Sequence, residues 1–125
     1  MTLAGAQLVA FAGTTDLDRA REFYAGVLGL PLVSQDGFAC VFQAGDTHLR
    51  VTKVAEVARI PYTVLGWSVP DIESAIGELS ARGVEFQHYE GMSQDELGVW
   101  SAPSGTRVAW FRDPDGNTLA IHQTP

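Results

Sequence analysis

A histidine two residues from an arginine, and a second histidine near the end of the chain, are the side chains of this sequence best suited to chemistry. His48 and Arg50 lie in "THLRVTK", and His122 lies in "RDPDGNTLAIHQ". Residues two apart on a strand share a face. His48, Arg50 and Thr52 therefore project together from one run, and Thr118, Ala120 and His122 from the other. Imidazole is the usual general acid or base near neutral pH. A guanidinium forks onto a carboxylate, a phosphate or an enolate. The pattern admits an acid–base pair with an oxyanion stabiliser, and it equally admits rim histidines whose polar atoms are satisfied. Arg50 has its own alternatives: an internal ion pair with an acid such as Glu85 or Glu90, or a stem that carries its charge out to solvent.

Two other candidates read as structural. Cys40, the only cysteine, sits in "FACVF" as a small strand residue with no activating base beside it. In "DPDG" the glycine comes too early for a calcium loop and a proline interrupts the acidic alternation, so the segment reads as a turn. His88, the third histidine, lies in "VEFQHY" with no face assigned.

The elements that must position these residues come in two copies. "TTDLDRAREFYAGVLGL" and "SVPDIESAIGELSARGV" align Asp16 with Asp71, Leu17 with Ile72 and Ala20 with Ala75, and each runs to a glycine, Gly29 or Gly83. Each reads as a helix with an aspartate cap, one apolar stripe (Tyr24 within the first) and a glycine stop. A short β-type run precedes each helix, "AQLVAFA" and "TVLGWSV". Behind the first come "LPLVSQ", "FACVFQA" and "THLRVTKV"; behind the second, "VEFQHY", "TRVAWFR" and "NTLAIHQ". The repeat unit is βαβββ. The expected architecture is α+β: one domain over residues 1–125, with module 1 at about 5–54 and module 2 at about 62–124.

Composition bounds the function. At 125 residues, 46% hydrophobic and 18% charged, the chain has globular proportions and no apolar run near the ~20 residues of a membrane span. A net charge of −7 with 8 basic residues argues against nucleic acid and leaves a small molecule as the expected partner. No basic residue precedes Arg19, so no secretory signal is read and a cytoplasmic protein is expected.

Paired βαβββ modules, "DLDRAREFYAGVLGL" after the first strand and "AWFRDPDGNTLAI" in the closing hairpin together resemble the vicinal oxygen chelate superfamily. That group contains glyoxalases, extradiol dioxygenases, fosfomycin-resistance enzymes and bleomycin-binding proteins. The resemblance implies a curved eight-stranded mixed sheet around a cavity, with helices on the outer face, and assembly as a homodimer. It also implies four cavity-facing positions, which metal-binding members use as ligands. Counting back from Asp16 and Asp71, and aligning "LRV" with "LAI", places these positions at Val9, Arg50, Val64 and Ala120. None is a His, Cys, Asp or Glu, so the resemblance predicts no metal at the usual site and no other cofactor.

Alternation from these four positions adds Phe11, His48, Thr52, Gly66, Ser68, Thr118 and His122 to the cavity face. A type I turn over Asp113–Gly116 pairs Trp110 with Ala120 and brings Trp110 in as well. Trp67 falls on the helix side, and parity does not place Trp100. "GMSQDELG", residues 91–98, is either a lid or a solvated connection. The expected function is metal-independent small-molecule binding, with Phe11 and Trp110 giving stacking area and Arg50 orientation. The alternative is a lyase, isomerase or dioxygenase-like enzyme that uses Arg50 with His48 or His122, or a displaced metal site built from the two histidines and a loop acid.

Overall fold

Asp16 and Asp71 each accept a backbone N–H three residues on, from Arg19 and Ser74, both at 3.1 Å. These bonds satisfy donors that a helix start leaves free. The computed structural model describes residues 2–125. In it the first helix, α1, is α-helical over Leu17–Arg21 and widens to a π-helix over Glu22–Val27, where the Leu28 N–H reaches Phe23 O at 2.9 Å. The second, α2, spans Ile72–Ala81. Each stops just before a glycine at positive φ, Gly29 at 77° and Gly83 at 93°, where a side chain would be strained.

Among the described residues eight strands form two four-stranded mixed sheets, each made within its own compact unit, one ending at Val57 and the other running Ala58–Pro125. The first unit contains β1 (Val9–Thr14), β2 (Leu32–Gln35), β3 (Ala39–Ala44) and β4 (Thr47–Lys53), in the order β1-β4-β3-β2. The second contains β5 (Leu65–Ser68), β6 (Trp100–Ser101), β7 (Arg107–Arg112) and β8 (Thr118–Gln123), in the order β5-β8-β7-β6. In each sheet the strand before the helix pairs in parallel with the last strand, and the remaining pairs are antiparallel. This is the α+β fold with duplicated βαβββ order.

One strand differs from expectation. "VEFQHY" is irregular, and β6 takes its place in the second sheet. The Gln87 N–H still reaches Trp110 O at 2.8 Å. Around it, however, the Gln94 side chain takes the carbonyl of Gln87 and the N–H of Tyr89, and so competes for groups a ladder would use.

Alternation decides what is buried. In the first unit Cys40, Phe42, Leu49 and Val51 form a fully buried face with Ala20 and Tyr24 of the helix, and the Tyr24 and Phe42 rings are 5.6 Å apart. In the second, Ala109, Phe111, Leu119 and Ile121 are buried with Ile72 and Ile76 of α2. Trp67 lies on that same face and stacks on Phe111 at 6.5 Å. Each large buried side chain contributes ~1.5–3 kcal/mol. The opposite faces, free of helices, carry the candidate residues. Among the described residues no helix is long and apolar enough to cross a membrane.

Candidate functional site

On the helix-free face of the first sheet, Val9 stands beside His48, and Phe11 beside Arg50. Val9 and Phe11 are exposed, 40% and 62%; His48 is exposed and Arg50 half-buried. Among the described residues Arg50 makes no hydrogen bond or ion pair. Its charge does act on Asp36. The Asp36 carboxyl lies below its ordinary value, first because it accepts the backbone N–H groups of Phe38 and Ala39 at 2.8 and 2.9 Å, and further because of Arg50.

The second sheet carries Val64, Gly66, Ser68, Thr118, Ala120, His122 and Trp110. Val64 lies just ahead of β5, and its N–H extends the ladder to Thr118 O at 2.9 Å. Ala120 is buried and pairs with Trp110, as the hairpin turn requires. That turn is held by Asp113, whose Oδ1 accepts the N–H groups of Asp115 and Asn117 at 3.0 and 2.9 Å.

A hollow of about 440 Å³ opens over this sheet, within the ~300–1,000 Å³ range of small-molecule sites. Trp110 and Thr118 form its floor, and Arg112 stands exposed at its edge. Pro61, Tyr62 and Thr63 line it from the segment before β5, and Tyr89 and Met92 from the segment before β6. The Trp110 indole donates to Thr63 Oγ1 at 3.0 Å. The Tyr89 ring meets Trp110 nearly edge-on, 74° at 5.8 Å, and the Trp100 ring lies 6.2 Å from Trp110. Such arrangements suit aromatic quadrupoles and hold the ring in place.

The structure thus brings Trp110 and Thr118 together in a hollow and leaves the other candidates outside its lining. His122 is four residues along β8 from Thr118, about 13 Å at strand rise. Pro61, Tyr62, Thr63, Tyr89, Met92 and Arg112 are not among the residues that the sequence singles out for the site. All except Arg112 lie on irregular segments, where alternation carries no information; Arg112 shares the Trp110 parity and was legible.

Among the described residues no His, Cys, Asp or Glu lines the hollow, so its own side chains offer no usual metal ligand. The four positions Val9, Arg50, Val64 and Ala120 supply no donor either. No group of three or more His, Cys, Asp or Glu able to hold a metal occurs among the described residues. Nor is Cys40 a nucleophile in waiting. It is buried, burial pushes its thiol up, and its Sγ donates to Leu17 O at 3.6 Å.

Comparison with known proteins bears on the fold and the family. YraH of Bacillus subtilis (strain 168), an uncharacterized protein, is 26% identical over 123 residues, covering 86% of this chain and 90% of YraH. The crystal structure of lactoylglutathione lyase from Agrobacterium tumefaciens has a TM-score of 0.73 at 19% identity, covering 95% of this chain and 93% of that one. TnmS3, an antibiotic binding protein from Streptomyces sp. CB03234, has a TM-score of 0.73 at 20% identity, covering both chains in full, 100% each. A lyase and a binding protein share this fold, so the fold does not choose between them. Residues 7–121 match the family description Glyoxalase/Bleomycin resistance protein/Dioxygenase superfamily, and the chain belongs to that superfamily.

Proposed function

We propose that this protein binds a small organic molecule without a metal, and that the hollow over the second sheet is where the molecule rests. One observation carries the reading. A tryptophan is fixed at the floor of a hollow of ligand size by a hydrogen bond to Thr63, flanked by Tyr89, while no metal-ligating side chain lines the same space. A pinned ring presents apolar area at low entropic cost. The absence of a nucleophile or paired acid and base in the lining favours binding over turnover. The antibiotic binding protein of the same fold supports this choice. Assembly as a homodimer belongs to the proposal, since Val9 and Phe11 leave an apolar face open on the first sheet. Light scattering that gives a 13.5 kDa particle at micromolar concentration would remove that part.

The test is a thermal-shift screen of small molecules, followed by titration of tryptophan fluorescence. A ligand that binds the native state raises the melting midpoint. The expected hit shifts the wild-type midpoint, changes the fluorescence and loses both effects in Trp110→Leu. A hit with unchanged affinity for Trp110→Leu would place its site elsewhere and overturn the proposal.

A further inference from the structure

The overall charge of −7 suggests cationic ligands, but the hollow has the opposite sign. Its lining contains no acid, and its one charged side chain is Arg112, exposed at the edge and without an ion pair or hydrogen bond among the described residues. Arg112 and Thr118 are register partners across β7 and β8, and Trp110 follows two residues from Arg112 on the same face. A guanidinium and a pinned indole therefore come from residues two apart on one face of β7, and both line the hollow. We propose that the hollow selects a planar aromatic anion, an aryl carboxylate or phenolate: the ring packs against Trp110 between Tyr89 and Met92, and the negative oxygens meet Arg112. This deepens the proposed function and rests on the hollow being a ligand site.

The physics favours sign selection at short range. Net charge acts through a solvent that screens it over ~8 Å at physiological ionic strength. A guanidinium in contact range of a bound ring, beside low-dielectric aromatic walls, outweighs surface carboxylates that do not line the hollow. Arg112 is also the residue type whose fork matches a carboxylate in two parallel bonds.

The experiment uses three probes of one shape: 2-naphthoate, its neutral amide and 2-naphthylmethylammonium, titrated by calorimetry into the wild type, Arg112→Met and Trp110→Leu. The expected order of affinity is naphthoate above amide above ammonium, with naphthoate about 10-fold tighter than the amide. Arg112→Met should weaken naphthoate about 10-fold and the amide much less, so that the preference between the two is lost. It should also fold with an unchanged melting temperature, because Arg112 is exposed and supports no other group. Trp110→Leu should weaken all three. If the three probes bind alike and Trp110→Leu weakens them all, the hollow is a ligand site without charge preference and only this inference fails. If Trp110→Leu affects none of them, or none binds, both this inference and the proposed function fail.

Discussion

Trp110 and Thr63 are joined by an indole N–H to hydroxyl hydrogen bond of 3.0 Å that spans 47 residues of sequence. It ties the floor of the hollow to the segment ahead of β5 and sets the plane of the ring. Thr63→Val removes the acceptor and keeps the shape. The expected cost is ~0.5–1.5 kcal/mol of stability, with a several-fold weaker affinity for any ligand that depends on Trp110. Thr63→Ser should retain both. Equal affinity for Val and wild type would show that the ring does not need its tether.

The sheets and helices were legible because their signals are periodic. Aligning Asp16 with Asp71 located both helix starts, and alternation from a single residue sorted whole strands correctly, down to the pairing of Trp110 with Ala120. The hairpin turn was legible from Gly116, whose φ of 87° suits glycine and where an added Cβ would meet Arg59 Nε at 2.8 Å. The hollow was mostly not legible. Tyr62, Tyr89 and Met92 reach it from irregular segments held by side-chain hydrogen bonds between residues that no repeat relates. The same cause misled the reading of "VEFQHY": its composition suits a strand, but Gln94 competes for its backbone.

Chelation should leave the protein unchanged. Val9, Val64 and Ala120 have no lone pairs to offer and Arg50 would repel a cation. Metal analysis of the purified protein should therefore find no stoichiometric iron, manganese, nickel or zinc, and EDTA should not move the melting temperature. One tightly bound ion per chain that chelator removes with a loss of stability would refute this.

Arg50→Met should fold almost as well as the wild type, within about 1 kcal/mol. An arginine with a buried carboxylate partner would instead cost about 3–5 kcal/mol on removal, and a loss of that size in chemical denaturation would identify such a partner. A smaller effect is expected in acid. Folding lowers the Asp36 carboxyl, chiefly through the N–H groups of Phe38 and Ala39 and in part through Arg50. Its stabilisation is then complete above the ordinary carboxylate range and is lost as pH falls through the lowered folded value. Without Arg50 the folded value rises, so the loss begins at a higher pH than in the wild type.

Gln94 does not line the hollow but braces the segment that carries Tyr89 and Met92 to it. Its Oε1 accepts the Tyr89 N–H at 2.7 Å, and its Nε2 donates to the carbonyls of Gln87 and Gly98 at 3.0 and 2.8 Å. These three bonds fold residues 87–98 against themselves and so carry Tyr89 and Met92 to their places. Gln94→Leu strands one donor and two acceptors and should cost about 2–4 kcal/mol. Gln94→Glu gives a sharper result, because it keeps the acceptor for Tyr89 and replaces the donor with a second acceptor facing two carbonyls. Two repelling carbonyls outweigh one attracting N–H, so the folded state should raise the new carboxyl above its unfolded value. For an acid raised on folding, the unfolded chain releases its proton first, so the protein is relatively stable below the unfolded value and loses stability as pH rises towards the folded one. Denaturant melts of Gln94→Glu should therefore approach those of the wild type near pH 4 and fall well below them at pH 7. Ligand affinity should follow the same curve, since the loop that holds Tyr89 opens with it. A deficit that is the same at both pH values would mean that the amide's donor bonds do not hold the segment, and the support of the hollow would have to come from Asp95, which accepts the N–H groups of Leu97 and Val99 at 2.9 Å each.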